Sequence, residues 1–128
     1  MINDNHGFTL VEFLVAVVIM MVGLLGMLQG INLAMDKNVG NVLRSEAILV
    51  ADDRMMLRRG KQFDALSTNT SNSYQQRYAR GVMKNYSINE IVSQATPSSK
   101  EIRVNVTWSY RKIRNTHSVS SFVSQSPL

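Results

Sequence analysis

Glu12 is the residue whose chemistry most needs explaining, because it lies inside an almost unbroken apolar segment. Residues 8–28 read FTLVEFLVAVVIMMVGLLGML, and Glu12 is the sole charged side chain among them. A carboxylate at the centre of a membrane span costs about 2.5 to 3.5 kcal/mol on insertion scales, so such an acid is by default a hypothesis for a functional site. The alternative is that Glu12, one turn from Phe8, lies near one end of the span and reaches the lipid headgroups.

A partner for Glu12 would arise if the chain were cut after Gly7. Phe8 would then carry a free ammonium group at the end of an apolar helix. The ammonium of one subunit and the Glu12 carboxylate of another would neutralise each other in a low-dielectric core. Loss of one member would leave an unpaired buried charge, at a cost of about 3 to 5 kcal/mol. The pair would therefore favour one register between neighbouring helices.

The apolar segment has the length of a membrane span. Residues 8–28 would extend roughly 31 Å as an α-helix, which matches the hydrocarbon thickness of a bilayer. A secretory signal peptide would need a basic start and a small-residue cleavage site after the apolar stretch. The start, MINDNHG, holds no Lys or Arg, and the stretch ends in Gln-Gly-Ile-Asn. The other alternative, a buried helix of a soluble protein, is usually shorter than this segment. We therefore predict a transmembrane or filament-core helix over residues 8–30.

The chain offers no catalytic or metal-binding pattern. It has no Cys and only two His, which lack any metal-ligand spacing. Asp52 and Asp53 diverge by about 100° on a helix and do not form a natural carboxylate pair. Six Met residues are better explained by adaptable apolar packing than by a metal site. They are Met20, Met21, Met27, Met35, Met55 and Met56. The sequence predicts no enzyme, no bound metal and no cofactor.

Residues 31–61 carry the apolar stripe of an amphipathic helix. Its members recur every three or four residues: Ile31, Met35, Val39, Val42, Leu43, Ala47 and Val50. No proline interrupts the pattern, so we predict that the helix continues to about Arg59 and stops at Gly60. Gly23, Gly26 and Gly30 lie inside it, where each costs about 1 kcal/mol relative to Ala. The spacing of Gly26 and Gly30 favours close helix packing, although glycines also occur in spans without a role.

Residues 62–128 have the pattern of a small antiparallel sheet. The strongest signal is the strict alternation from Glu101 to Arg111, which places the apolar side chains, including Trp108, on one face. We interpret Trp108 as a core residue rather than a binding residue. The predicted order is a polar linker at 67–73, strands at 81–93, 101–111 and 118–124, and turns at 96–99 and 112–115. The predicted fold class is α+β, with the sheet laid on the amphipathic half of the helix.

Three basic residues form a tip beside Tyr110 in the predicted sheet: Arg111, Lys112 and Arg114. Such residues can contact DNA phosphates. The formal net charge of +5 is spread over the chain after Lys37, however. This spread favours a solvated surface, and nucleic-acid binding is not expected.

The segment Gly7-Phe8-Thr9-Leu10-Val11-Glu12 resembles the cleavage motif of type IV prepilins and type II secretion pseudopilins. The resemblance implies a type IV pilin-like fold and a leader at residues 1–7. It also implies that a prepilin peptidase cuts after Gly7 and methylates Phe8. Glu12, with its neighbours Thr9 and Leu10, would set the register of assembly.

Two further stretches look like minor pilins of the PilV type: Val22-Gly23-Leu24-Leu25-Gly26 and Ala51-Asp52-Asp53-Arg54. The helix lacks the proline of major pilins, which also points to a minor subunit. The leader departs from the family pattern because it has no Lys or Arg. The expected function is a minor pilin of a type IV pilus. The alternatives are a minor pseudopilin of a type II secretion system, a DNA-binding competence pilin, and a single-span anchored protein with an intact N-terminus.

The same resemblance implies partners and a location. The partners would be other pilin or pseudopilin subunits, the prepilin peptidase and the inner-membrane assembly platform. The domain after the span would lie in the periplasm before assembly into a pilus or pseudopilus. The basic residues after the span would by themselves place that end in the cytoplasm. We favour the periplasm, since long domains cross largely regardless of their charge.

Overall fold

The computed structural model describes residues 7–126, so the predicted leader residues 1–6 lie outside the described part of the chain. One long helix is followed by four strands. Their bounds are α1 Leu10–Arg59, β1 Thr70–Ala79, β2 Val82–Thr96, β3 Ser99–Tyr110 and β4 Ile113–Ser124, with a 3-10 turn at Phe63–Ala65. The chain divides into two compact units, and the second begins at Val39, within α1.

In the first unit, α1 is apolar on every side from Phe13 to Leu28. Its large apolar side chains from Leu10 to Met35, with the exception of Val17, are more than half exposed. The helix is long and apolar enough to cross a membrane. A helix that is apolar all round must be covered by lipid or by other helices, because water would hydrate it at a large free-energy cost.

In the second unit, α1 has one apolar face. Its buried residues follow a helical spacing: Leu43, Ala47, Val50, Ala51 and Met55. The helix ends at Arg59, and Gly60 follows it, as predicted. Arg58 and Arg59 lie in the last turn, where positive charge is stabilised by the helix dipole.

The four strands form one antiparallel sheet in the order β1-β2-β3-β4. The inner faces of the two central strands supply the core: Tyr86, Ile88, Val92, Ile102, Val104, Val106 and Trp108. Trp108 is 7% exposed, which confirms that it is a core residue. Its ring lies 6.1 Å from that of Tyr86, and the Tyr86 hydroxyl donates a hydrogen bond to the Leu43 carbonyl at 3.0 Å. The α+β fold class, a long helix packed on an antiparallel sheet as in type IV pilins, is confirmed.

Polar contacts fix the sheet to the end of the helix. Glu90 on β2 is only 5% exposed and forms ion pairs with Arg58 and Arg54 of α1. The Lys100 ammonium of β3 donates to the carbonyls of Phe63 and Leu66 at 2.8 and 2.7 Å. The loop between helix and sheet is therefore held to the core by charge-assisted hydrogen bonds.

Three details of the predicted sheet are wrong. The turn expected at 96–99 is reduced to residues 97–98, because β2 extends to Thr96 and β3 begins at Ser99. Residues 70–73 of the expected polar linker belong to β1, an edge strand that pairs with β2 from Thr70↔Ile91 to Ala79↔Val82. The inward-facing residues of β1 are mostly polar, so the sequence has no apolar alternation that would indicate a strand there. The turn expected at 112–115 is shorter, because Arg111 and Lys112 turn at positive φ and β4 begins at Ile113.

Candidate assembly site at the helix N-terminus

The start of α1 is closed by a reciprocal pair of hydrogen bonds between Thr9 and Glu12. The Thr9 amide donates to Oε2 of Glu12 at 2.8 Å, and the Glu12 amide donates to Oγ1 of Thr9 at 3.2 Å. The Thr9 hydroxyl also lies 3.2 Å from Oε2. The Thr9 carbonyl accepts from the Phe13 amide at 3.2 Å. This is a capping box, in which two side chains satisfy amides that the first helical turn leaves unpaired.

The capping box determines where the helix begins, and so leaves the predicted cleavage point outside it. Residues 7–9 are not in the helix, and Gly7 is exposed. Phe8 is 94% exposed and Leu10 is 77% exposed. The Gly7–Phe8 peptide bond is therefore an accessible, irregular segment immediately before a rigid helix, which suits entry into the active site of a peptidase.

The geometry brings Glu12 close to the place where a new N-terminus would form. A cut after Gly7 would leave an ammonium on Phe8, the residue next to the amide that contacts Oε2. Both described hydrogen bonds from Thr9 use this one oxygen. A carboxylate can accept more hydrogen bonds than these. Glu12 can therefore cap its own helix and still accept a hydrogen bond from an ammonium group.

The capping role of Glu12 was missed in the sequence, although the sequence contains the signal. Thr9-Leu10-Val11-Glu12 has the Thr-x-x-Glu spacing that precedes an apolar run in capped helices. The predicted site residues Gly7, Phe8, Thr9, Leu10 and Glu12 thus come together at one helix end.

The three glycines of the apolar segment lie apart from this end of the helix. Their spacings of three and four residues place Gly23, Gly26 and Gly30 on one face of α1. A Cβ atom added at any of them would meet nothing within 4 Å. Within residues 7–126 nothing therefore requires glycine at these positions, whereas a neighbouring helix packed closely against this face would require it.

Comparison with protein families gives one match, over residues 2–28. It is the prokaryotic N-terminal methylation motif. The matched residues include the predicted cleavage point, the capping box and all but the last of the three glycines. Comparison with curated proteins and with solved structures gives no match.

The methylation motif and the fold together support a type IV pilin-like or pseudopilin subunit. The methylation motif implies a prepilin peptidase and other filament subunits as partners in general. An apolar N-terminal helix behind such a motif fits a pilin anchored in the inner membrane.

Proposed function

We propose that this chain is a minor pilin, cleaved after Gly7, methylated at Phe8 and assembled into a type IV pilus or priming its assembly. The observation that carries the proposal is the exposed Gly7–Phe8 bond directly before a capped apolar helix, within the matched methylation motif. The function is structural. Before assembly the sheet domain lies in the periplasm, and the inner-membrane assembly platform receives the subunit.

Glu12 has two successive roles in this proposal. In the membrane-resident subunit its carboxylate caps the helix, and the hydrogen bonds from Thr9 lower the cost of holding a charge beside lipid. In the filament the same carboxylate pairs with the Phe8 ammonium of a neighbouring subunit. Because an unpaired charge in the apolar core is strongly unfavourable, only the register that joins the two groups is stable. Thr9 holds the carboxylate in place, and Leu10 contributes apolar contact.

The glycine face is the second element of assembly. A helix with three glycines on one side can approach another helix closely, as Gly-x-x-x-Gly segments do in membranes. The open space at Gly23, Gly26 and Gly30 in the single chain is what such a contact would fill.

A minor pseudopilin of a type II secretion system is the second candidate, because it shares the cleavage motif and the assembly chemistry. The genes next to this one separate the two systems. A pilus motor and a major pilin would favour the pilus, and secretin-linked secretion components would favour the pseudopilus.

The test is the mass of the mature N-terminus after expression of the full chain with and without a prepilin peptidase. We expect loss of residues 1–7 and gain of one methyl group on Phe8, only when the peptidase is present. Gly7→Val is the control, because a side chain at Gly7 meets nothing within 4 Å among residues 7–126, so a loss of cleavage would report on recognition by the peptidase. A chain that keeps Met1 in the presence of active peptidase contradicts the proposal.

A further inference from the structure

Strand β4 lies at an open edge of the sheet. Among the described strands it has one neighbour, β3, and it pairs with β3 in unbroken register from Ser99↔Ser124 to Tyr110↔Ile113. No residue of β4 is buried in the described part of the chain. Its 12 residues extend about 40 Å, roughly twice the length of an ordinary strand. A long, unbroken edge of this kind can pair with a further strand.

Alternate residues of β4 direct their backbone hydrogen-bonding groups away from β3. In an antiparallel ladder, every second residue exchanges both bonds with one neighbouring strand, and the residues between face the other side. The Gln125 amide donates to the Ser98 carbonyl at 2.8 Å, so the odd-numbered residues of β4 bond to β3. The amides and carbonyls of the even-numbered residues therefore face the open edge: Arg114, Thr116, Ser118, Ser120, Phe122 and Ser124.

The other open edge, β1, carries a feature that discourages pairing, and β4 lacks it. Arg77 lies on the inner side of β1, and its guanidinium is 3.3 Å from the Asp53 carboxylate of α1. An inward-facing charged residue is one of the devices that keep edge strands unpaired, as are Lys, Pro and bulges. Strand β4 has no Lys and no Pro, and its ladder with β3 has no bulge. Its single Arg, Arg114, lies on the outer face opposite Ser109.

Apolar side chains of β4 are covered only in part by the described residues. Val119 and Val123 pack against the core but remain partly exposed, and Ile113 on the same side is 65% exposed. On the outer side, Phe122 is 61% exposed. The inner side of β1, by contrast, holds mostly Ser, Gln and Arg. A strand added at the β4 edge would therefore cover apolar surface that one added on the inner side of β1 would not.

A second copy of β4 fits this edge in one antiparallel register, with Ser118 opposite Ser118 of the other copy. On the inner side, this register sets Ile113 opposite Val123, which are both apolar. On the outer side, it sets Arg114 opposite Phe122, so that a guanidinium meets an exposed aromatic ring. Cross-strand pairs of these kinds stabilise a sheet.

Other registers are less favourable. A slip of one residue would turn the inner side chains of one copy to the outer side. A slip of two residues in either direction would separate Ile113 from Val123 and Arg114 from Phe122, and in one direction it would set His117 opposite His117. In the register about Ser118, His117 meets Val119, and no two ionisable side chains of β4 are directly opposite.

We propose that β4 pairs with β4 of a second copy of this chain, antiparallel and in register about Ser118. The pair would join two four-stranded sheets into one. Both copies use the same surface, so two copies close the contact and leave no β4 edge open. The pairing involves the second unit alone and does not require cleavage after Gly7. It therefore goes beyond the proposed function and is tested apart from it.

The first test is disulfide formation in the full uncleaved chain, which has no native Cys, at less than one chain per detergent micelle. In the proposed register two Ser118→Cys residues have Cα atoms about 5.5 Å apart, a distance that a disulfide spans. We expect a covalent dimer under mild oxidation. Asn72→Cys, at an edge-facing position of β1, should give none. Failure of Ser118→Cys to dimerise, or an equal yield from Asn72→Cys, overturns the inference.

Mixed variants test the register. Thr116→Cys would lie opposite Ser120→Cys of the second copy, whereas two Thr116→Cys residues would lie about 14 Å apart along the strands. The mixture should therefore crosslink, and Thr116→Cys alone should not. A yield from the mixture no greater than that from Thr116→Cys alone overturns the inference.

Two proline variants test whether the backbone edge is what pairs. Ser120→Pro removes an amide that faces the open edge and keeps the ladder with β3, so it should abolish the Ser118→Cys dimer. Gln76→Pro makes the matched change at the β1 edge and should leave that dimer unchanged. Circular dichroism verifies that both variants fold. A dimer that persists in the folded Ser120→Pro variant overturns the inference.

Oxidation in intact membranes identifies the occupant by mass. We expect an adduct of two copies joined through Ser118→Cys. An adduct with a different protein overturns the inference and identifies that protein as the partner of the β4 edge. Neither outcome bears on cleavage after Gly7, so the proposed function stands or falls separately.

Discussion

The structure separates two functions of Glu12 that a single substitution to Ala would confuse. Glu12→Gln keeps a side-chain oxygen for the capping box, because Gln serves at that position as well as Glu. It removes the charge that would meet a neighbouring ammonium. Thr9→Ala does the reverse, since it removes the Oγ1 acceptor 3.2 Å from the Glu12 amide and keeps the carboxylate.

The two variants should differ in size of effect. Loss of a cap of this type costs about 0.5 to 2 kcal/mol, which is roughly a 2- to 30-fold change in an equilibrium. Loss of one member of a buried charge pair costs about 3 to 5 kcal/mol, or roughly 150- to 4,000-fold. Glu12→Gln should therefore be excluded from filaments far more strongly than Thr9→Ala.

The assay is competition between variant and native subunits expressed together, with both quantified by mass spectrometry in membranes and in sheared filaments. The membrane fraction controls for expression and cleavage, which should be similar for both variants. If Glu12→Gln entered filaments at the native ratio, the charge-pair reasoning would be refuted. If Thr9→Ala were excluded and Glu12→Gln were not, the cap rather than the charge would be what assembly needs.

Three further predictions concern stability and packing. Burial raises the pKa of the Tyr86 hydroxyl above its ordinary value of about 10. The stability that the neutral hydroxyl contributes is therefore complete below about pH 10 and is lost as the pH rises through the folded-state pKa. Tyr86→Phe should lessen this alkaline destabilisation in urea titrations and should cost about 1 kcal/mol at neutral pH. Glu90→Gln should destabilise the chain by about 2 kcal/mol, since it removes the charge that Arg58 and Arg54 share at a buried position, whereas Glu101→Gln, from a more exposed pair, should cost under about 1 kcal/mol; equal midpoints in urea would contradict this. Gly26→Leu should insert normally and yet reduce filament entry, with Gly40→Leu as the control, because both positions are open among the described residues and only Gly26 lies in the apolar segment; equal incorporation would exclude the glycine face of that segment from packing.

Elements with a strong local signal could be predicted from the sequence. The end of α1 followed from Arg59 and Gly60, and β3 followed from the alternation that buries Val104, Val106 and Trp108. Strand β1 could not be predicted, because it is an edge strand whose stability comes from pairing with β2 rather than from an apolar face of its own.

The contacts between elements were also beyond the sequence. Glu90 and Arg58 are 32 residues apart, and nothing local indicates that they pair. The capping box could have been recognised from the spacing of Thr9 and Glu12. The charge of Glu12 within an apolar segment instead suggested an intermolecular role, and its role as a helix cap was overlooked. The candidate cleavage and assembly residues were otherwise recognisable because they are contiguous, and a contiguous motif does not depend on the fold.

The most direct measurement of the charge pair is zero-length crosslinking of assembled filaments with an apolar carbodiimide, followed by peptide mass spectrometry. This reagent joins a carboxylate to an amine only where the two are in contact. The account predicts that Glu12 or Phe8 of this chain, carrying a heavy-isotope label, is joined to the N-terminal segment of an unlabelled neighbouring subunit. Crosslinks confined to Glu12 and Phe8 of the same labelled chain would contradict it, because the carboxylate would then neutralise only its own N-terminus.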